Sequence, residues 1–157
     1  MTTDKHKIAN GFNKFFVNIG PNLASKIPLD NRSPTSYMRD RVADVMPVTL
    51  ATEEEVVRII RALKDSSSGW DHISARIVKN THFTFIKPLT HIMNLSLETG
   101  IFPTELQIAK VIPLFKSGES TNFSNYRPVS VLPLFSKVLE RLMYNHLLSF
   151  INEQGLL

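Results

Sequence analysis

The polar segment KSGESTNFSNYRP, residues 116–128, begins with a lysine, carries an arginine near its end, and lies between the apolar segments AKVIPLF and VSVLPLF. Its first residues, Lys116-Ser-Gly, have the composition of a phosphate-binding loop, in which a lysine and backbone N–H groups face an anion. In a second interpretation the segment is a polar connector, and Arg127 pairs with a carboxylate such as that of Glu119 or Glu140. The residue types alone leave both interpretations open.

The rest of the sequence contains no recognisable catalytic or metal-binding pattern. Asp40 and Asp44 lie four residues apart without a further ligand, so a solvated helix face is favoured. The glutamates at 53–55 suit the positive end of a helix dipole. The five histidines lack metal-ligand spacing, and GxSxG, GxxxxGK[ST] and GxGxxG are absent. Without cysteine, disulfides and thiolate chemistry are excluded. We therefore predict no catalytic residue and no metal site in this chain.

Length and composition are those of one globular domain, with 157 residues of which 43% are hydrophobic and 20% charged. The formal net charge of +4 is compatible with a polyanionic partner. The N-terminus lacks the apolar core of a secretory signal, and no apolar run approaches the roughly 20 residues that cross a membrane. We expect an intracellular protein, nuclear or cytoplasmic, with no membrane partner.

Residues 1–50 are predicted to be mainly helical. A first helix begins after Asp4 and ends at Gly20-Pro21, because this pair interrupts the helical pattern. A short helix in NLASKI, a loop in PLDNRSPT and one or two helical turns in SYMRDRVADVM are predicted to follow. The apolar stripe of the first helix consists of Ile8, Phe12, Phe15, Phe16 and Ile19.

Residues 52–100 are predicted to form three helices. Thr52 and Glu55 have the spacing of a capping box at the start of the first. The segment ISARIVKNTHFTFIKPLTHIMNLSLETG divides into two helices, because Pro88 fits only a first turn, and Gly100 ends the second. Ser74 caps the helix before Pro88. The predicted inward-facing residues are Val56, Ile60 and Leu63 in the first helix and Leu89, Ile92, Met93 and Leu97 in the last.

Two strands and a long helix are predicted for the remainder. IAKVIPLFK and RPVSVLP have strand composition, although Pro113 and Pro128 argue against a central, fully paired strand at those positions. A long helix has Pro133 in its first turn and Gly155 as its stop. Its predicted stripe is Phe135, Val138, Leu139, Leu142, Leu147 and Phe150. The predicted fold class is α+β and predominantly helical.

The order of three blocks carries a family resemblance. They are KDSSSGWDHIS, FIKPLTHIMNLSLETGIFP and LQIAKVIPLFKSGESTNFSNYRPVSVLPLFSKVLERLMYNHLLSFI. Together they resemble the N-terminal part of the reverse transcriptase of non-LTR retrotransposons, the LINE group, in particular its jockey-like elements. The upstream FNKFFVNIGPNLASKI is similar to the segment between endonuclease and polymerase in those polyproteins. The resemblance implies a helical extension over 1–50 and, over 51–157, the fingers of a right-hand polymerase with a short β-hairpin.

The resemblance also implies roles for several residues. In the family the hairpin closes over the incoming nucleotide, which makes Lys116 and Arg127 the triphosphate contacts. Arginine suits this role through its forked donors, and lysine as a movable point charge. The aromatic residue of the hairpin, Tyr126, is expected to line the template path, and Lys110 to contact nucleic-acid phosphate.

The SGWD block resembles a loop near the template strand. Gly69 is expected to permit close backbone approach, and Trp70 to stack on a base or sugar. The alternative for Trp70 is a side chain that plugs the core between two helices. Two positions depart from the family pattern: His72 stands where many relatives have glycine, and Gln107 where they have a basic residue.

The activity implied by the resemblance is RNA-directed DNA synthesis on an RNA or RNA/DNA primer-template with dNTPs. In the family a palm follows this region, and its aspartates hold two magnesium ions. Those palm motifs are absent from the sequence, so we expect nucleic-acid or nucleotide binding but no catalysis by this chain alone. Helix faces that a palm would cover are expected to be apolar and to favour self-association. The alternative function is a domesticated helical protein–protein interaction module without a nucleic-acid role.

Overall fold

The computed structural model describes residues 3–28, 33, 36, 45–65 and 67–155. The candidate pair Asp40 and Asp44, and most of SYMRDRVADVM and PLDNRSPT, lie outside these described residues. The chain divides into two compact units, one formed by Met1–Ala43 with Val111–Val129 and the other by Asp44–Lys110 with Ser130–Leu157. This grouping of contacts does not test the predicted division near residue 50, which stays a prediction.

The fold is mostly helical with one small sheet. Two strands, β1 and β2, pair as an antiparallel hairpin. The α+β, predominantly helical class predicted from the sequence is therefore confirmed. None of the helices in the described part of the chain combines the length and apolarity needed to cross a membrane. The elements are α1 (Lys5–Ala24), α2 (Glu53–Ala62), α3 (Ala75–Thr99), α4 (Thr104–Gln107), β1 (Lys110–Phe115), a 3-10 helix (Phe123–Asn125), β2 (Tyr126–Val131) and α5 (Leu134–Glu153).

The core of the second unit lies between α2, α3 and α5. Helix α2 buries Val56 and Ile60, and Leu63 packs at the edge of the same cluster, as predicted. Asn94 of α3 ties the segment before α2 to this core, since its side chain accepts from the Ala51 N–H at 2.8 Å and donates to the Ala51 carbonyl at 3.0 Å. The other buried members are Ala51, Ile59, Ala75, Val78, Ile86, Leu89, Met93, Leu134, Val138, Leu139 and Leu142.

Local side-chain caps start the helices where the sequence predicts them. Asp4 accepts from the backbone of the first turn of α1, Thr52 from the Glu55 N–H, and Ser74 from the Ile77 N–H. The pKa of Glu54 is lowered, first by a hydrogen bond from its own backbone and second by the Thr52 side chain. These short-range signals were sufficient to set the starts of three helices.

The predicted break in the middle of α3 is wrong. Pro88 lies inside a single 25-residue helix rather than in the first turn of a second one. Proline removes the N–H that would bind the carbonyl of Thr84, but Thr84 and Pro88 are both exposed, so water can reach that carbonyl. The buried face continues on both sides of Pro88, and its packing holds the helix together. Gly100, with a φ of 68°, ends α3 as predicted.

The predicted end of α1 is also wrong. The helix continues past Gly20-Pro21 to Ala24, and the Ser25 N–H donates to the Pro21 carbonyl at 3.0 Å. Gly20 and Pro21 are exposed, so neither has to fit against a packed surface. A predicted second helix in NLASKI is thus partly the last turn of α1.

Two predicted core positions lie at the surface. Leu147 of α5 is 47% exposed and Ile92 of α3 is 48% exposed. Helix α5 is buried only in its first half, through Leu142, so its later turns leave the core. Pro133 precedes α5 as its cap residue rather than occupying the first turn, a difference of one position.

Candidate nucleotide and nucleic-acid interface

The hairpin register places the two predicted triphosphate ligands on one face. The Lys116 N–H donates to the Asn125 carbonyl at 2.8 Å, so these two residues lie opposite each other on the paired strands. Arg127 then lies opposite Leu114, two residues before Lys116 on β1. Because residues two apart on a strand share a face, Lys116 and Arg127 are diagonal neighbours on one face of the hairpin.

Lys116 and Arg127 are both exposed. Neither Lys116 nor Arg127 forms an ion pair within the described residues. The alternative pairing of Arg127 with Glu119, which belongs to the same unit, is therefore not observed. Two like charges at neighbouring positions repel each other, and a bound anion would remove that repulsion.

The loop that joins the strands is held by its own hydrogen bonds. The Asn125 side chain donates to the Glu119 carbonyl at 2.9 Å, and the Tyr126 hydroxyl donates to the Ser120 carbonyl at 2.9 Å. Asn122 accepts from the backbone and the hydroxyl of Ser124. Such a loop fixes the ends of the two strands and hence the positions of their cations.

An aromatic cluster anchors the opposite face of the hairpin to α1. The ring of Tyr126 lies 5.3 Å from that of Phe115 and 4.7 Å from that of Phe12, between ring centroids. Phe123 of the loop is 4.7 Å from Phe12 and 6.0 Å from Phe15. Tyr126 thus has a packing role that its residue type alone did not reveal, and its predicted template contact stays a prediction.

Sequence reasoning missed the support that α1 gives to the loop. A side chain at Gly11 would bring its Cβ within 2.6 Å of the Phe123 ring, so the ring lies directly on the helix backbone. The available signal in the sequence was Gly11 itself, because glycine is unfavourable inside a helix and this one lies next to Phe12 of the apolar stripe. The apolar stripe indicated that α1 packs against another element, but it did not indicate which element.

The SGWD segment forms a turn against the start of α5. A Cβ on Gly69 would come within 2.8 Å of the Pro133 nitrogen and 2.9 Å of its Cα. The close approach that requires glycine here is therefore to the chain's own backbone. Trp70 is 43% exposed, and its indole N–H donates to the Glu105 carbonyl at 3.2 Å. It does not plug the core, so the alternative interpretation of Trp70 is wrong.

The structure describes the two positions that were expected to depart from the family pattern. His72 has a φ of 58°, a left-handed conformation that glycine adopts without strain. The Gln107 side chain donates to the Phe102 carbonyl at 2.7 Å and so fastens its own turn. Lys110, the first residue of β1, is exposed.

Within the described part of the chain, the residues do not fit the two-magnesium site that the resemblance implies for a complete polymerase. Among the described residues, no three His, Asp or Glu side chains converge to hold a metal ion.

The chain is similar in sequence to several known proteins. No protein-family model matches the chain. It is 31% identical over 120 residues, or 75% of its length, to the RNA-directed DNA polymerase from mobile element jockey of Drosophila melanogaster. The corresponding jockey protein of Drosophila funebris is 32% identical over 106 residues, or 66% of the chain. The probable RNA-directed DNA polymerase from transposon BS of Drosophila melanogaster is 30% identical over 114 residues, or 71% of the chain.

The chain is a relative of the RNA-directed DNA polymerases of non-LTR retrotransposons. The predicted resemblance to these retrotransposon reverse transcriptases is thereby confirmed. The chain spans 13%, 12% and 13% of the three polymerases named above, about an eighth of their length. Its relation to these reverse transcriptases therefore concerns one segment of much longer proteins.

Proposed function

We propose that the β1–β2 hairpin binds the triphosphate of an incoming nucleotide within a reverse transcriptase. The observation that supports this role is a pair of exposed cations, Lys116 and Arg127, on one face of a hairpin whose other face is anchored by aromatic packing. The forked guanidinium takes two phosphate oxygens at once, and the ammonium adds a second positive charge. Such fixed charges stabilise phosphoryl transfer by compensating the charge that develops on the phosphate.

The wider proposal is that the chain forms the fingers of a right-hand polymerase and serves RNA-directed DNA synthesis inside the cell, in nucleus or cytoplasm. Primer-template and dNTP are its proposed partners. The exposed ring of Trp70 supports stacking on a template base, and Lys110 is proposed to contact phosphate. Gly69 contributes by allowing the turn that presents Trp70, and Tyr126 by holding the hairpin.

The test measures the affinity of the chain for a fluorescent dNTP in magnesium buffer. Arg127→Ala is expected to weaken binding about 10-fold or more, because it removes a charge-assisted bidentate interaction with phosphate. Arg127→Lys keeps the charge but not the fork and should lie between Arg127→Ala and wild type. Lys116→Ala should cause a smaller reduction in affinity.

Lys26→Ala is the matched control, because Lys26 is an exposed lysine of the same unit and its replacement removes the same charge. Circular dichroism of each variant checks that the fold is retained. Equal dNTP affinity for wild type and the double variant Lys116→Ala/Arg127→Ala would refute the triphosphate role.

The second candidate function is the protein–protein interaction module. The observation in its favour is the row of half-exposed apolar side chains on α5: Met143, Tyr144 and Leu147. Under this function, the Lys116→Ala/Arg127→Ala variant keeps full binding to the protein partner. RNA binding is then weak both in this variant and in wild type. Loss of RNA binding in that variant alone favours the reverse transcriptase function.

A further inference from the structure

A basic cleft lies between α2 and α5 in the second unit. Its cavity has a volume of about 520 Å³. Arg58 comes from α2 and Lys64 from just beyond its end, while Arg141 and Tyr144 come from α5. The apolar floor includes Ile59 and Leu63. This volume falls within the range of small-ligand pockets, so the cleft can hold one nucleotide unit.

Positive charge dominates the lining of this cleft. Arg58, Lys64, Lys137 and Arg141 contribute four cations, against one carboxylate from Glu140. Lys137 is engaged with another group of the protein. Arg58 and Lys64 form no ion pair within the described residues. Several cations around a concave surface focus the field on an anion that enters it.

Tyr144 gives the cleft a second recognition element. The guanidinium carbon of Arg141 lies 5.2 Å from the centroid of the Tyr144 ring, which orients both side chains. Tyr144 is nevertheless 52% exposed, and it lines the cleft beside the cations. An exposed aromatic ring within a basic groove is the combination that binds single-stranded nucleic acid, with phosphates on the cations and a base on the ring.

We propose that the α2–α5 cleft binds one nucleotide unit of a single-stranded nucleic acid. Arg58 and Lys64 take the phosphodiester, and the surface made by Arg141 and Tyr144 stacks the base. This inference does not rest on the triphosphate proposal, because the cleft uses none of the residues of the β1–β2 hairpin. A purely electrostatic patch would bind any polyanion, whereas this cleft prefers a polyanion that carries bases.

The experiment follows the fluorescence anisotropy of a labelled 12-mer oligouridylate across a salt series, with heparin as a competing polyanion without bases. Arg58→Gln/Arg141→Gln is expected to weaken oligouridylate binding about 10-fold or more. The same variant should flatten the salt dependence by roughly one unit of slope for each phosphate that the protein no longer neutralises. Tyr144→Leu should weaken oligouridylate binding about 10-fold while leaving heparin affinity unchanged.

The matched control is Arg76→Gln/Lys87→Gln, which removes the same charge from exposed positions on α3 outside the cleft. An equal reduction of affinity in this control and in Arg58→Gln/Arg141→Gln would overturn the cleft proposal, as would unchanged binding by Tyr144→Leu. The hairpin variant Lys116→Ala/Arg127→Ala separates the two proposals. If Lys116→Ala/Arg127→Ala loses dNTP affinity while Arg58→Gln/Arg141→Gln binds oligouridylate normally, the hairpin role is retained and the cleft proposal is refuted.

Discussion

Gly118 holds the hairpin loop in a conformation with a φ of 90°, which residues with side chains rarely adopt. A Cβ there would also lie 2.7 Å from the Asn125 side-chain nitrogen. That side chain bonds the Glu119 carbonyl across the loop. The geometry of the loop therefore depends on glycine at 118 for backbone conformation and for space, whatever anion the neighbouring lysine binds.

Gly118→Ala is expected to destabilise the protein by about 1–3 kcal/mol, because strain in the left-handed region adds to the clash with Asn125. The free energy of unfolding from urea titration measures the effect. Gly20→Ala provides the opposite case, since Gly20 is helical and a Cβ there meets no atom within 4 Å. That change should stabilise by up to about 1 kcal/mol. Equal effects of the two substitutions would contradict this account of the loop.

At the scale of elements, the helices are longer than their prolines suggest. In α3, Pro88 removes one hydrogen bond from a helix whose buried face runs from Ala75 to Ser96. The burial of an apolar side chain such as Met93 is worth about 1.5–3 kcal/mol, and several such residues lie on either side of the proline. Packing against α2 and α5 therefore outweighs the single interruption.

Pro88→Ala should stabilise the protein by about 1–2 kcal/mol. It restores the hydrogen bond to the Thr84 carbonyl, and the greater freedom of the unfolded chain offsets part of that gain. Thermal and urea unfolding followed by circular dichroism at 222 nm measure the change. Lys87→Ala, an exposed neighbour on the same helix, should change stability by less than about 0.5 kcal/mol. A destabilised Pro88→Ala protein would show that the proline is needed for the shape of α3.

At the scale of the whole molecule, the two compact units do not follow the order of the chain. The hairpin segment Val111–Val129 groups with α1, although more than 80 residues separate them in sequence. The second unit is built from the chain on either side of that segment. The surface of this second unit has an apolar groove of about 620 Å³, which is lined by Met46, Val48 and Leu147.

Self-association through this groove is expected in solution. Met143 and Leu147 are 49% and 47% exposed, so a second copy can bury apolar surface there. Sedimentation velocity between about 1 and 100 μM should reveal a concentration-dependent rise in mass for the wild type, and Leu147→Glu should suppress it by placing a charge in the contact. Ile77→Glu, at a 59% exposed site on α3, should leave association unchanged. A monomer at every concentration would refute this prediction.

Much of this protein could be predicted from its sequence, because the signals involved are short-range. The caps Asp4, Thr52 and Ser74 and the left-handed glycine at 100 act within one turn, so residue type and spacing are enough to find them. The strand composition on either side of the polar loop indicated two strands, and the family resemblance implied that they form a hairpin. The ordered blocks of residues identified the retrotransposon family without any coordinates.

Only the tertiary structure decided which surfaces meet. It showed that α1 packs its Phe12 against the loop of the hairpin, that Gly69 is required by the backbone at Pro133, and that α3 continues through Pro88. It also gathered Arg58 and Arg141, which are 83 residues apart, into one cleft. Such pairings are long-range, and each depends on the summed burial of many side chains, which no local pattern of residue types encodes.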